Sequence, residues 1–176
     1  MTPAGLKRVG EEVERDDHRV LVECGSGYST LVLARLLAGR GGGALISLEH
    51  DAAWAQRVAE ALEAEALSAS IVHAPLEPNP LARGDCGWYA VSSLRALPDR
   101  IDLLLVDGPP AGEPGREESR YPALPLLGER LGADALVVLD DIDRAGEQRV
   151  LSDWERHTGF RFERFREQRI ALGRRR

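Results

Sequence analysis

Residues 19–30, RVLVECGSGYST, decide how the rest of this chain is read. Val20, Leu21 and Val22 make a short apolar strand that runs into an acid, Glu23. Gly25 and Gly27 follow, and then a Leu- and Ala-rich helix from about Tyr28 to Ala38, stopped by Gly39. Glycine at such a turn lets backbone approach a ligand closely, and the start of a helix offers N–H groups that lack intrahelical partners. A G-x-G turn alone is shared with dinucleotide-binding folds. The acid closing the strand shifts the reading. A nicotinamide site usually carries an apolar residue there, whereas a ligand with an ammonium group needs a carboxylate.

Outward from that stretch, strands and helices alternate. Strand one is read at Arg19–Glu23, strand two at Ala44–Leu48, strand three at Ser70–Ala74, strand four at Ile101–Val106 and strand five at Ala135–Leu139. A helix from Ala52 to about Leu67 starts behind Asp51 as N-cap, and Trp54, Val58 and Leu62 give it one buried stripe. Further helices are expected around Tyr89–Leu97, Tyr121–Leu131 and Arg144–Thr158, the last carrying Val150, Leu151 and Trp154 inward. Phe160–Phe165 and Gln168–Leu172 are close enough to form an antiparallel hairpin. Residues 1–18 read as a polar leading segment, with a short helix through Leu6, Val9 and Val13, and residues 19–176 as one domain.

Strands four and five are near-continuous apolar runs, the mark of parallel strands covered on both faces. The fold class is therefore α/β: a doubly wound, mostly parallel seven-stranded sheet with a C-terminal antiparallel hairpin. In such a sheet ligands bind beyond the carboxyl ends of the strands. That rule selects Glu23, Glu49, Asp107, Asp140 and Asp141.

Bulk composition narrows the function classes. A length of 176 residues suits one domain with a full core. The net charge of −6 argues against a nucleic-acid partner, and the basic C-terminus (Arg161, Arg164, Arg166, Arg169 and Arg174 to Arg176) reads as a solvated surface. No apolar run has membrane-spanning length and no leader for export is visible, so the expectation is a cytoplasmic protein with no membrane partner. Cys24 and Cys86 lack metal-ligand spacing, and Cys24 reads as a small buried thiol. All but Lys7 of the 23 basic residues are arginine, which excludes almost every lysine-dependent mechanism.

With ECGSGYST, SLEHD, LLLVDGPP and LVVLDD in that order, the chain resembles class I S-adenosylmethionine-dependent methyltransferases. It is most similar to the small bacterial branch related to metal-dependent, catechol-type O-methyltransferases. The resemblance covers about residues 19–173 and includes the closing hairpin, and it implies the Rossmann-like methyltransferase fold. It implies that the backbone of Gly25, Ser26 and Gly27 passes beside the methionyl part of S-adenosylmethionine. Glu23 then faces the ammonium directly or through water, and Thr30 or Ser29 bonds the carboxylate. Glu49 suits the ribose hydroxyls, His50 lies against the adenine, and backbone around Pro75 borders that ring. Taken singly, Glu49 reads equally as a helix cap or arginine partner, and His50 as a surface histidine.

Asp107 ends strand four, and Asp140 with Asp141 ends strand five, so three carboxylates converge at one edge. Two readings stand. A hard divalent cation, Mg²⁺ or else Mn²⁺ or Ca²⁺, would relieve their repulsion and lower the pKa of an acceptor hydroxyl. Alternatively, Asp107 contacts only the cofactor while Asp140 and Asp141 cap the next helix. Catechol-type relatives place a lysine after the strand-four aspartate as general base, whereas residues 108–112 here are GPPAG. That leaves Asp107, His50 or a hydroxide on a bound ion as the base.

The expected acceptor is a small molecule, a phenol or sugar hydroxyl. Its pocket is expected from residues 75–89 and 108–121, with Trp88, Tyr89, Arg116, Arg120 and Tyr121 as candidates and a homodimer partner as a further source of wall. Two other functions compete. One is a nicotinamide-dependent oxidoreductase, weakened because Thr30 stands where a third glycine would be and no Tyr-x-x-x-Lys pair exists. The other is a methyltransferase-like module that binds the cofactor without turnover, suggested by the missing lysine.

Overall fold

The alternation is realised as a seven-stranded sheet flanked by helices on both faces. The computed structural model describes residues 1–175, so Arg176 of the basic C-terminus lies outside the described residues. Helix α1 (Pro3–Arg15) leads into β1 (Val20–Cys24), α2 (Tyr28–Gly39), β2 (Ala44–Glu49), α3 (Ala52–Ala64) and β3 (Ser70–His73). After a long connection come β4 (Ile101–Val106), α4 (Ala123–Leu127), β5 (Leu131–Asp140), α5 (Ala145–His157), β6 (Phe160–Phe165) and β7 (Ile170–Arg175). The strand order is β3-β2-β1-β4-β5-β7-β6. The first five strands pair in parallel, and β7 runs antiparallel to both β5 and β6.

Strand alternation divides the core in two. Leu21, Leu103, Leu105, Leu136 and Val138 face α1, α2 and α3, meeting Leu6, Val9, Leu33, Leu37 and Val58. Val22, Cys24, Leu104, Val106, Val137 and Leu139 face the other way, onto Leu124, Val150, Leu151 and Trp154. A sheet covered on both faces leaves one place for a ligand, the rim where the strands end and loops begin. Order reverses beside β1, with β2 on one side and β4 on the other, so that rim is widest at the end of β1.

The helix expected through Leu6, Val9 and Val13 is present as α1, capped by Thr2, with those three residues buried in the same core as the sheet. Several other local readings change. Trp54 does not belong to the buried stripe of α3, which is Ala55, Val58 and Leu62; the residue is 44% exposed. Trp88 and Tyr89 do not open a helix but form a short antiparallel ladder with Leu76 and Glu77, followed by a 3₁₀ turn over Val91–Ala96. The helix expected at Tyr121–Leu131 shortens to α4 and a 3₁₀ turn over Gly128–Arg130; Pro125 lacks the N–H that a helix begun at Tyr121 would bond to the Tyr121 carbonyl, and Gly128 follows the last residue of α4. Leu131 instead opens β5, paired with Ile101.

Candidate active site

The loops after β1, β2 and β4 are tied together by backbone. Gly25 N–H donates to Leu48 O at 2.8 Å, and Asp107 N–H donates to Cys24 O at 3.0 Å. Gly25 has φ +91°, and a Cβ there would lie 3.2 Å from Asp107 backbone atoms and from Gly108 Cα. Only glycine allows that conformation and that approach without strain. The result is a cavity of about 350 Å³ at the end of β1, within the range that holds small ligands. Gly25, Ser26, Gly27 and Ser29 line one side, Glu49, His50 and Trp54 another, and Tyr89, Asp107 and Gly108 the third.

Glu23 is not on that wall. It shares strand parity with Leu21, so its side chain turns under the first turn of α2 and is fully buried. There it accepts hydrogen bonds from the hydroxyls of Ser29, Thr30 and, at 3.0 Å, Ser47. Burial pushes its carboxyl up to about 7, with the three hydroxyls opposing that rise. The expected contact of Glu23 with a ligand ammonium is thus replaced by a structural one, in which the acid anchors the helix that borders the cavity. Thr30 is buried with it and also accepts from Gly27 N–H at 2.9 Å, leaving Ser29 as the hydroxyl at the cavity edge.

Glu49 does reach the cavity. One carboxylate oxygen accepts from Ser26 N–H and Ser26 Oγ, each at 3.0 Å; the other accepts from Asp51 N–H at 2.9 Å and lies 2.8 Å from His50 Nδ1. These partners fill the acceptor directions of a carboxylate, so a ligand diol binds Glu49 only as the Ser26 hydroxyl and the His50 ring move off. Trp54 donates from its indole N–H to Ser26 O at 2.8 Å, which holds the exposed ring beside the cavity. The buried Tyr89 hydroxyl, on the wall shared with Asp107 and Gly108, has no hydrogen-bond partner. Pro75 is exposed and away from the lining, its carbonyl accepting from Ala90 N–H at 2.9 Å.

The three aspartates do converge. Ligand atoms of Asp107, Asp140 and Asp141 lie within 4.8 Å of one another. Neither Asp140 nor Asp141 caps α5, which starts after Arg144 with no side-chain cap. They face arginines and one buried acid. Arg120, 3% exposed, donates from Nη2 to Asp107 O at 3.0 Å, and to Asp107 Oδ1 and Asp141 Oδ2 at 3.2 Å each. Its Nη1 donates to Asp140 O at 3.1 Å and its Nε to Pro109 O at 3.3 Å. Arg144 Nη1 lies 2.9 Å from Asp141 Oδ2 and Arg169 Nη2 lies 2.7 Å from Asp141 Oδ1. The Met1 ammonium is 2.9 Å from both Asp107 Oδ2 and Asp140 Oδ2, with hydrogen-bond geometry to the former alone.

Glu147 joins from α5, buried, with Oε1 3.5 Å from Arg120 Nη1. Burial pushes its carboxyl up to about 7 against the pull of Arg120, and burial with the nearby Asp107 charge pushes Asp140 up to about 6. Sequence reading missed Glu147, although it falls on the stripe of Val150, Leu151 and Trp154, where an acid must be buried with a partner. Of the five acceptor-pocket candidates only Tyr89 lines the cavity. Trp88 is packed in the core, Arg116 pairs with Glu113 on the surface, and the Tyr121 ring sits 3.4 Å from the Arg83 guanidinium carbon.

Comparison with known proteins gives consistent answers. A family model described as a methyltransferase domain matches residues 22–142. A methyltransferase-like protein from Silicibacter pomeroyi is 25% identical with a TM-score of 0.63, over 98% of this chain and 85% of that one. The SAH-bound methyltransferase PaMTH1 of Podospora anserina shares the fold with a TM-score of 0.73 at 14% identity, covering 100% of this chain and 80% of its own. The O-methyltransferase of Bacillus cereus in complex with SAH does so with a TM-score of 0.71 at 16% identity, covering 100% and 82%. No curated protein matches the chain.

Proposed function

The chain belongs to the methyltransferase-domain family, of the class I S-adenosylmethionine-dependent kind, and from that premise we propose that it methylates a hydroxyl of a small molecule. The observation that carries the proposal is the cavity at the end of β1, where the glycine loop, Glu49 and Asp107 meet. Family membership also displaces the oxidoreductase alternative.

The donor set fits S-adenosylmethionine. A carboxylate at the tip of β2 faces the cavity, the start of a twelve-residue helix borders it, and Tyr89 holds a buried hydroxyl with no partner on its wall. When bound, the cofactor supplies a methyl group activated by its sulfonium. Glu49 would bind the ribose diol, with Ser26 Oγ and His50 giving way. The N-terminus of α2 favours the cofactor's carboxylate through its partial positive charge. The Trp54 ring covers the cavity beside His50. Asp107 and His50 are among the proton-accepting groups that line the cavity, and in this reading one of them takes the acceptor's hydroxyl proton as the oxygen is methylated. A net charge of −6 favours a small acceptor over a nucleic acid.

The Mg²⁺ expected from the resemblance does not fit the cluster as it is built, because Asp107 and Asp141 already hold guanidinium groups. Release of S-adenosylhomocysteine, followed over a panel of phenols, catechols and sugars, tests the reading. Turnover is expected on at least one hydroxyl acceptor, and Asp107→Asn is expected to lower kcat by about 100-fold or more. Tight cofactor binding with no turnover on any acceptor would leave the non-catalytic module standing instead.

A further inference from the structure

We propose that Arg120 holds the place a divalent cation would take in the three-aspartate cluster, so that this chain transfers methyl groups without a metal. The first half rests on the geometry of the cluster alone. The second half rests on the methyltransferase reading above.

A hard cation needs several oxygens aimed at one point that is free of other positive charge, at about 2.0–2.6 Å depending on the ion. Here that point is taken. Arg120 Nη2 stands 3.2 Å from Asp107 Oδ1 and 3.2 Å from Asp141 Oδ2, bridging the ends of β4 and β5 as an ion would. A guanidinium remains protonated across the physiological range, so it does not vacate the site by titration. Nor can it swing away. Its other bonds run to the carbonyls of Asp107, Pro109 and Asp140, at 3.0, 3.3 and 3.1 Å, in a region shielded from water. Moving Arg120 would break all three of these shielded hydrogen bonds at once, with Ser119 Oγ remaining for the Pro109 carbonyl alone.

Charge leads to the same conclusion. Asp107, Asp140, Asp141 and Glu147 face Arg120, Arg144, Arg169 and the Met1 ammonium, so positive groups already match the acids where a divalent ion would add two more positive charges. Asp141 is the least available ligand. One of its oxygens is 2.7 Å from Arg169, and the other is shared by Arg120 and Arg144. An added ion would sit among three guanidinium groups, all of which already contact Asp141. Arg120 also holds Asp107, which lines the cavity, and is in that sense a positioning residue.

Mn²⁺ binding followed by electron paramagnetic resonance tests the first half on the intact chain. Wild type is expected to take up none at millimolar Mn²⁺, with or without S-adenosylhomocysteine. Arg120→Met removes the charge and frees Asp107 Oδ1; it is expected to bind Mn²⁺ at least about 10-fold more tightly than wild type and to lose that site again when Asp140→Asn is added. If Arg120→Met does not fold, wild type and Arg120→Lys carry the test, both expected to stay empty. One equivalent of Mn²⁺ bound to wild type and lost in Asp140→Asn would overturn the proposal, as would a folded Arg120→Met that binds none. For the second half, methyl transfer is expected to be unchanged by EDTA; loss of turnover restored by Mg²⁺ would overturn it. Failure of every acceptor would sink the methyltransferase reading and leave the Mn²⁺ result intact.

Discussion

Replacing Gly27 by valine is expected to weaken S-adenosylhomocysteine binding by about 100-fold or more while leaving folding stability within about 1 kcal/mol of wild type. Gly27 sits on the cavity wall with φ 166°, an extended conformation that any residue adopts. The nearest atom to an added Cβ is Trp54 Cζ2 at 3.9 Å, ordinary contact distance, so the folded chain has room for the new side chain. That room is the ligand's. Branched methyl groups there would stand in the space assigned to the methionyl part of the cofactor. Gly25→Val would be a poor substitute, because its φ of +91° and the 3.2 Å approach of Asp107 and Gly108 make it a folding mutation first. Calorimetry for affinity and urea unfolding for stability separate the two effects. A Gly27→Val protein with native stability and unaltered affinity would place the ligand elsewhere.

The second large effect is a loss of stability as pH rises from 5 to 8. Glu23 has a folded pKa of about 7 against 4.5 for the free side chain, because burial disfavours its charge. The folded chain therefore keeps a proton that the unfolded chain has released, and unfolding becomes easier as pH rises. The contribution is complete below about pH 4.5 and is lost by the time pH passes about 7; with 1.36 kcal/mol per unit it amounts to about 3 kcal/mol. Glu147, also pushed to about 7, and Asp140, pushed to about 6, add in the same direction. Glu23→Gln keeps the shape and removes the titration, and the hydroxyls of Ser29, Thr30 and Ser47 can rotate to suit an amide. Urea unfolding at several pH values is expected to give a shallower slope for Glu23→Gln, by about 3 kcal/mol across the window. Parallel curves for the two proteins would show that Glu23 is not held neutral by the fold.

What could be read beforehand follows from which signals are local. Parallel strands buried on both faces write themselves as apolar runs, so β4 and β5 and the carboxylates at their ends were visible, and with them the fold and the rim that carries the site. The hairpin was visible because only a short turn separates its two strands. Glu23 was misplaced although period two was available: a residue two after Leu21 must face the same helices, here α2, and not the rim. Trp54 was misplaced because it lies one position round α3 from the residues that are buried, Ala55, Val58 and Leu62.

The arginine cluster had no such signal. Arg120 sits in a Gly- and Pro-rich stretch where arginine ordinarily faces water, and nothing local says that its guanidinium lies under the ends of two strands. Three acids converging at one edge were legible, but the identity of their counter-charge depended on a residue from another element. That is a tertiary fact, and the proposal of a metal-free site rests on it.

Calorimetric titration of the folded, full-length chain with S-adenosylhomocysteine, run beside NADH, is the most direct test of the nucleoside site at the tips of β1 and β2. The expected result is one equivalent bound with micromolar affinity, and no heat from NADH. No heat from S-adenosylhomocysteine with the protein folded would contradict it.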